Sequence, residues 1–373
     1  MAAFTSQNII ALLRSSAQQQ KTLGLGKFTK DPERKKLLRK IYARFDSLKP
    51  GSEEYNDLAV SGRCWYEHAD PGNIDRLGYK ALEKKNARIL QEIDKLRDAV
   101  KMPTSKIAQS LVAEYAYQSV SIENNPLEIG ESLVIADALE DGLFQHIELG
   151  SLTASSLISI ELPAPFELLP AGNQNAVAEL RNHVVASQWI ADTASHLPGT
   201  VGINEDELRS IAALMLRDTA SEKLYTHSWG TRINPGEYRQ APIRVRSNPL
   251  RIFPYPKEVP TLMKEFFAWH KAAHHQKLLH PLILACHSVM YFLSIHPFVD
   301  GNGRAGRAFM HDYMVRQGYL PVVMQNLERE DYLQMVSNSQ DGKPAEFVDQ
   351  VLDTQLEMMK MNVMNGVKCD HVG

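Results

Sequence analysis

Cysteine is nearly missing from this chain: Cys64, Cys286 and Cys369 are the only three in 373 residues. Few, scattered and odd in number, they exclude a disulfide scaffold. No stretch of about 20 apolar residues occurs, which excludes a helical membrane span. No apolar run near the N-terminus reads as a secretory signal, so the expected compartment is cytoplasmic or nuclear and no membrane partner is expected. Charge of one sign is not in excess either. A net charge of −3 gives no reason to expect nucleic acid, and the basic run from Arg34 to Lys40 is short. That run sits in DPERKKLLRKIYARF, which fits an amphipathic helix capped by Asp31 better than a DNA-binding arm. A repeat near 34 residues is also missing, which argues against a helical-repeat array. His270 and His274 are four apart, a spacing that can put two metal ligands on one helix face. No acid or cysteine completes a site there and lysines flank the pair, so solvated surface is expected and no zinc is assigned.

What the chain does have is concentrated in residues 296–307, HPFVDGNGRAGR. Upstream, PLILACHSVMYFLSI is apolar with no turn residue after Pro281 and is long for a strand, so it reads as a buried helix. Downstream, AFMHDYMVRQ keeps helical periodicity until Gly318. The string is therefore a tight joint between two helices. Gly301 and Gly303 can take φ > 0, which lets backbone N–H groups converge into an anion-binding nest at a helix N-terminus. Arg304 and Arg307 share a face and oppose the macrodipole, which costs roughly several tenths of a kcal/mol each and makes sense if an anion sits between them. Asp300 is placed to hold Mg²⁺ against phosphate oxygens. His296 is the one group in the run that titrates near neutrality, hence the natural general base. Taken singly, a Gly-Asn-Gly loop is usually a turn and an arginine pair usually a solvated face. In one contiguous string they point to phosphoryl or nucleotidyl transfer.

The string resembles the Fic family pattern H-x-F-x-(D/E)-G-N-G-R-x-x-R at every specified position. GEYRQAPIRV (236–245) is similar to the family's flap hairpin, PYPKEVPTLMKEFFAWH (254–270) to the helix after it, and GYLPVVM with the Tyr332 region to the segment after the motif. The likeness covers about 205–355 well and the helices of 105–200 more loosely. It implies transfer of AMP from ATP, with Mg²⁺, to a Ser, Thr or Tyr hydroxyl of a target protein. His296 would deprotonate the hydroxyl and Asp300 would hold Mg²⁺ on the α- and β-phosphates. Asn302, with the backbone of Gly301 and Gly303, would line the anion hole, and Arg304 and Arg307 would grip the phosphates.

A second segment, IAQSLVAEYAYQSVSIE (107–123), is helical in pattern, with Ile107, Leu111, Tyr115 and Ile122 on one face. Ser119, Glu123 and Asn124 resemble the family's inhibitory pattern (S/T)-x-x-x-E-(G/N). The resemblance implies that Glu123 pairs with Arg307 where the γ-phosphate of ATP would sit. Alone, Glu123 would be an ordinary acid before a turn. The stretch from Glu123 to His296 is long for the family, and ELPAPFELLPAG within 141–172 is the expected insertion. Residues THSWGTRINPGEYRQAPIRV suggest a hairpin around Asn-Pro-Gly. In Fic flaps such a hairpin registers an extended target by strand addition, so Gly236, Tyr238 and Arg239 are the target-binding candidates.

The expected organisation is all-α: a Fic-fold helical core with a small β-hairpin flap and an N-terminal helical region. Residues 1–30 are expected to be flexible, 31–104 helical, 105–125 the inhibitory helix, 126–172 a linking segment, and 173–373 the catalytic domain. The tail from 345 to 365 reads as one more Met-rich helix. The N-terminal region has three roles open to it: docking a substrate, forming a homodimer contact, or capping the core. Two alternatives to AMP transfer remain at this point. One is AMP removal, with Glu123 orienting a water. The other is a catalytically idle scaffold, against which the filled motif speaks.

Overall fold

The computed structural model describes residues 32–227, 233–245, 248, 250–324 and 327–369, the side chains of 224–227 and 365–369 excepted. The expected flexible segment 1–30 and the cap Asp31 lie outside the described residues. Among those described, helices are the only regular elements and no strand occurs. The N-terminal region folds as α1 (Pro32–Ile41), α2 (Glu53–Ser61), α3 (Arg63–Ala69), α4 (Tyr79–Lys85) and α5 (Ala87–Ala99). Then come α6 (Thr104–Ser110), α7 (Val112–Ser121), α8 (Ile129–Leu139) and the long α9 (Gln174–His196). The remainder is α10 (Glu205–Leu214), α11 (Ala220–His227), α12 (Val259–His275), α13 (Pro281–Ile295), α14 (Asn302–Arg316), α15 (Arg329–Gln340) and α16 (Ala345–Cys369). No helix among the described residues is long and apolar enough to cross a membrane.

The core is built on α9, α13 and α14, with α14 packed against both of the others. A helix apolar on all sides must be enclosed on all sides, and α13 is: of its residues only Pro281 and Ser294 are not fully buried. Pro281 starts it at a position where a missing N–H costs nothing, and the His280 ring accepts the Leu282 N–H at 3.2 Å. Helices α13 and α14 approach closely at Gly306, where a side chain would press on Phe292 and Val289. His270 corrects the expectation of solvated surface. It is 1% exposed, with its ring nitrogens 2.8 Å from Ser288 Oγ and 3.0 Å from the Val201 carbonyl. The α12 face carrying it turns onto α13, while His274 reaches Tyr313 instead.

The segment expected as one helix over 107–123 is two. It breaks at Leu111 (φ −101°), which lets Ile107 and Ala108 of α6 and Val112, Tyr115 and Ala116 of α7 all bury while both helices pack on α9. In the turn after α7, Asn124 takes the left-handed region (φ +66°), a conformation that glycine and asparagine adopt most readily. That is the physical content of a Gly-or-Asn position after Glu123. Asn125 then ties the end of α7 to α9, donating to the Ala176 carbonyl at 3.0 Å.

The β-hairpin flap is not seen. Residues 228–232 of the expected hairpin lie outside the described residues, and 233–245 form turns and irregular chain. The reason is that this arm spends its polar groups on helices rather than on itself. Arg209 of α10 donates to the Gly236 carbonyl at 3.0 Å, and Tyr238 donates to Glu205 at 2.7 Å with the Arg209 guanidinium 5.3 Å above its ring. Gly236 (φ +83°) lies so close to the Arg209 backbone that any side chain would collide with it.

Candidate active site

Helix α13 ends at His296, which takes left-handed φ and ψ of +52° and +62° while its N–H closes the last turn on the Phe292 carbonyl at 3.0 Å. A non-glycine residue there is uncommon and turns the chain sharply. The next loop is fastened by Asn302. Its carbonyl oxygen accepts the Phe298 N–H at 2.9 Å, and its amide donates to the Phe298 carbonyl at 3.0 Å. Both ends of the Asn302 amide are thus spent within the loop, and the side chain is 3% exposed. It shapes the turn; the free N–H groups at the start of α14 come from Gly301 (φ +79°) and its successors.

Arg239 is the hidden brace of this joint. It is 1% exposed and donates to the carbonyls of His296 at 2.8 Å and Pro254 at 2.7 Å, while its own N–H donates to Pro297 at 2.9 Å. Burial brings its guanidinium down to about 9. The expected target-binding position is therefore an internal one, since an arginine so enclosed has no face to offer a partner. Arg239→Met is expected to lower the melting temperature by several degrees and Arg239→Lys to rescue little of it. Each orphaned carbonyl costs about 1–3 kcal/mol, and lysine cannot fork to several carbonyls at once. Thermal unfolding by circular dichroism checks this; an unchanged melting temperature in Arg239→Met would remove the brace.

A cavity of about 310 Å³ opens beside the joint, lined by His296, Asp300 to Arg304, Glu123, Arg329, Tyr332 and apolar side chains including Phe253 and Leu333. The His296 ring is half-buried at its wall, 4.9 Å from Phe253. Burial, with Arg239 close by, lowers its pKa to about 4, so the imidazole is neutral at pH 7. Asp300 is partly exposed, 3.6 Å from Arg304. One carboxylate beside a phosphate nest suits Mg²⁺, which usually takes one or two carboxylates together with substrate phosphates.

Arg307 does not line the open cavity, because Glu123 covers it. The Glu123 carboxylate accepts from Arg307 Nη2 at 2.8 Å and from Arg329 Nη1 at 3.0 Å. Behind it, Arg307 donates to Ser119 Oγ at 2.8 Å and to the Ser119 carbonyl at 2.7 Å, with the Tyr332 ring 5.2 Å below the guanidinium. Burial alone would raise the Glu123 carboxyl, but Arg307, with Arg329 and Arg304, holds it down at about 2. Gly303 makes this approach feasible: a side chain there would occupy the space of the Glu123 carboxylate.

Of the residues singled out in the sequence, His296, Asp300, Gly301, Asn302, Gly303, Arg304, Arg307, Ser119 and Glu123 converge on this site. Asn124 acts on it through its backbone, and Gly236, Tyr238 and Arg239 lie away from the cavity. Sequence reasoning missed Arg329. The signal was present, since an arginine in the first turn of α15 opposes the macrodipole just as Arg304 and Arg307 do in α14. Its neighbours Glu328 and Glu330 disguise it as part of a mixed-charge surface.

Residues 202–314 match the Fic/DOC family. Among curated proteins it is similar to the protein adenylyltransferase Fic of Drosophila melanogaster, 33% identical over 121 residues, which are 32% of this chain and 24% of that one. The corresponding protein of Drosophila persimilis is 31% identical over 121 residues, covering 32% of this chain and 23% of the relative. The match thus spans about a quarter of these relatives' length. Among solved structures, Fic-1 from C. elegans shares the fold with a TM-score of 0.55 at 17% identity, over 95% of this chain and 99% of that one.

Proposed function

We propose that this protein transfers AMP from ATP to a Ser, Thr or Tyr hydroxyl of a target protein and is held inactive by Glu123. The observation that carries the reading is the placement of the Glu123 carboxylate on Arg307, in the lining of a cavity that His296, Asp300 and the Gly301–Arg304 turn also line. His296, neutral and recessed, takes the proton of the target hydroxyl at a ring nitrogen while the hydroxyl oxygen attacks the α-phosphorus, the bond to the β-phosphate breaks and pyrophosphate leaves. The N–H groups at the start of α14, with Arg304 and Arg307, bind and orient the phosphates. Mg²⁺, when bound at Asp300, would neutralise phosphate charge. Glu123 orients the wrong outcome: with its carboxylate on Arg307, the terminal phosphate has no seat and the nucleotide cannot align for attack.

Two features favour AMP removal as a second reading. Glu123 and His296 face one cavity, and Glu123 stays ionised, so it can orient a water toward a phosphorus held there. The deciding experiment incubates wild type and Glu123→Gly with Mg²⁺ and α-labelled ATP and measures label retained on protein. Labelling only in the glycine variant supports regulated AMP transfer. Label released from a pre-modified target by wild type, with none added by either protein, supports removal. Neither activity returns weight to a scaffold.

A further inference from the structure

The carboxylate of Glu123 is held by two guanidiniums that come from different helices. Arg307 of α14 takes Oε1 at 2.8 Å, and Arg329, at the first position of α15, takes Oε2 at 3.0 Å while also donating to the Ile122 carbonyl. Arg307 is 8% exposed in its side chain and is further pinned by Ser119; Arg329 is 34% exposed and lines the cavity. Three arginines, Arg304, Arg307 and Arg329, thus face two carboxylates, Asp300 and Glu123, around one volume. When Glu123 withdraws, the cavity keeps all three cations and loses an anion at the point that Arg307 and Arg329 share.

We propose that Arg329 is a phosphate-binding residue of the unlocked site, taking with Arg307 the terminal phosphate of a polyphosphate where Glu123 now lies. A carboxylate bridging two guanidiniums and a phosphate bridging the same pair make the same kind of charge-assisted contact. Arg329 therefore has two exclusive partners: it strengthens the lock when Glu123 is in and grips the ligand when Glu123 is out. An arginine at the first turn of a helix is unfavourable unless an anion is regularly beside it, and both states supply one. The inference rests on reading the cavity as a nucleotide site, and extends the grip on the ligand to a residue outside the sequence motif.

The test is binding rather than transfer. Calorimetry with Mg²⁺ compares Glu123→Gly, Glu123→Gly/Arg329→Ala and Glu123→Gly/Arg329→Lys against ATP, AMP and inorganic tripolyphosphate. Removing Arg329 is expected to weaken ATP and tripolyphosphate about 10- to 100-fold, the usual worth of a hydrogen bond to a charged group. AMP, which has no terminal phosphate to reach Arg329, is expected to change by less than about threefold, and lysine is expected to restore part of the loss. Arg329 is partly exposed at a helix start, and unchanged circular dichroism keeps a folding failure from passing as a binding one. Equal tripolyphosphate affinity with and without Arg329, an equal loss for AMP, or no polyphosphate binding to Glu123→Gly would each overturn the proposal. Arg329-dependent polyphosphate binding without label transfer to protein would uphold it and sink the AMP-transfer reading instead.

Discussion

Glu123→Gly is expected to retain about 10²- to 10⁴-fold more label from α-labelled ATP than wild type, on itself or on a co-incubated target. The magnitude follows from what the carboxylate does in place. It makes a charge-assisted hydrogen bond to each of Arg307 and Arg329. Such bonds are worth about 1.5–3 kcal/mol each, and each 1.4 kcal/mol is tenfold. A nucleotide that must displace Glu123 forfeits that amount. Acid is not expected to substitute for the mutation. The folded carboxyl lies at about 2, below its ordinary value of 4.5, so the pairing is fully present above the ordinary value and is lost only as pH falls toward 2. Wild type should therefore stay silent from pH 5 to 9. Labelling by wild type that rises on acidification within that range would refute the lock as drawn, and equal labelling of both proteins at pH 7 would remove Glu123 from control altogether.

How much of this was legible beforehand depended on the range of the interaction. Helix α13 runs from Pro281 to Ile295, the apolar stretch itself, because all-round hydrophobicity has one structural solution at that length. The joint from His296 to Arg307 was legible because its chemistry is local: the turn, the nest and both arginines lie within a dozen residues. The Glu123–Arg307 pair spans 184 residues and became visible only through the family resemblance. In the sequence Arg239 reads as a target-binding position and Arg329 does not stand out, for opposite reasons. Arg239 sits in a turn-rich, polar stretch that reads as surface, yet its donors are consumed by carbonyls of the α13–α14 joint. Arg329 sits among acids that read as its partners, yet it turns across the cavity to Glu123. The hairpin failed for a related reason. Alternating residues around Asn-Pro-Gly specify a turn, but whether its arms pair with each other or dock on α10 is decided by groups far away in sequence, such as Arg209 and Glu205.

His296→Ala in the Glu123→Gly background is expected to cut AMP transfer by about 10²- to 10⁴-fold, the usual contribution of a placed general base. His296 occupies left-handed backbone, which alanine tolerates poorly, so the fold has to be watched in the same preparation. His296→Asn separates the two effects, because asparagine accepts that conformation but cannot take the proton at neutral pH. Loss of transfer in both variants, with circular dichroism preserved in the asparagine one, assigns the defect to chemistry; full activity in either would remove His296 from the mechanism. The pH profile makes the assignment sharper. Burial and the nearby Arg239 lower the ring to about 4, so the neutral, proton-accepting form dominates throughout the physiological range. Transfer by Glu123→Gly should be flat from pH 8 down to about 5 and fall only on approach to 4, where an ordinary histidine would already have lost half its activity near 6.5. The fold itself is under acid strain before then. His270, His287 and His311 are also buried and held neutral, so the stability they contribute is complete above 6.5 and drains away as pH falls toward their folded values of about 3–4. Ellipticity recorded at each pH of the rate series tells unfolding from protonation of the base. A limb centred near 6.5 in a protein that remains folded would mean that His296 is not shielded as its surroundings require.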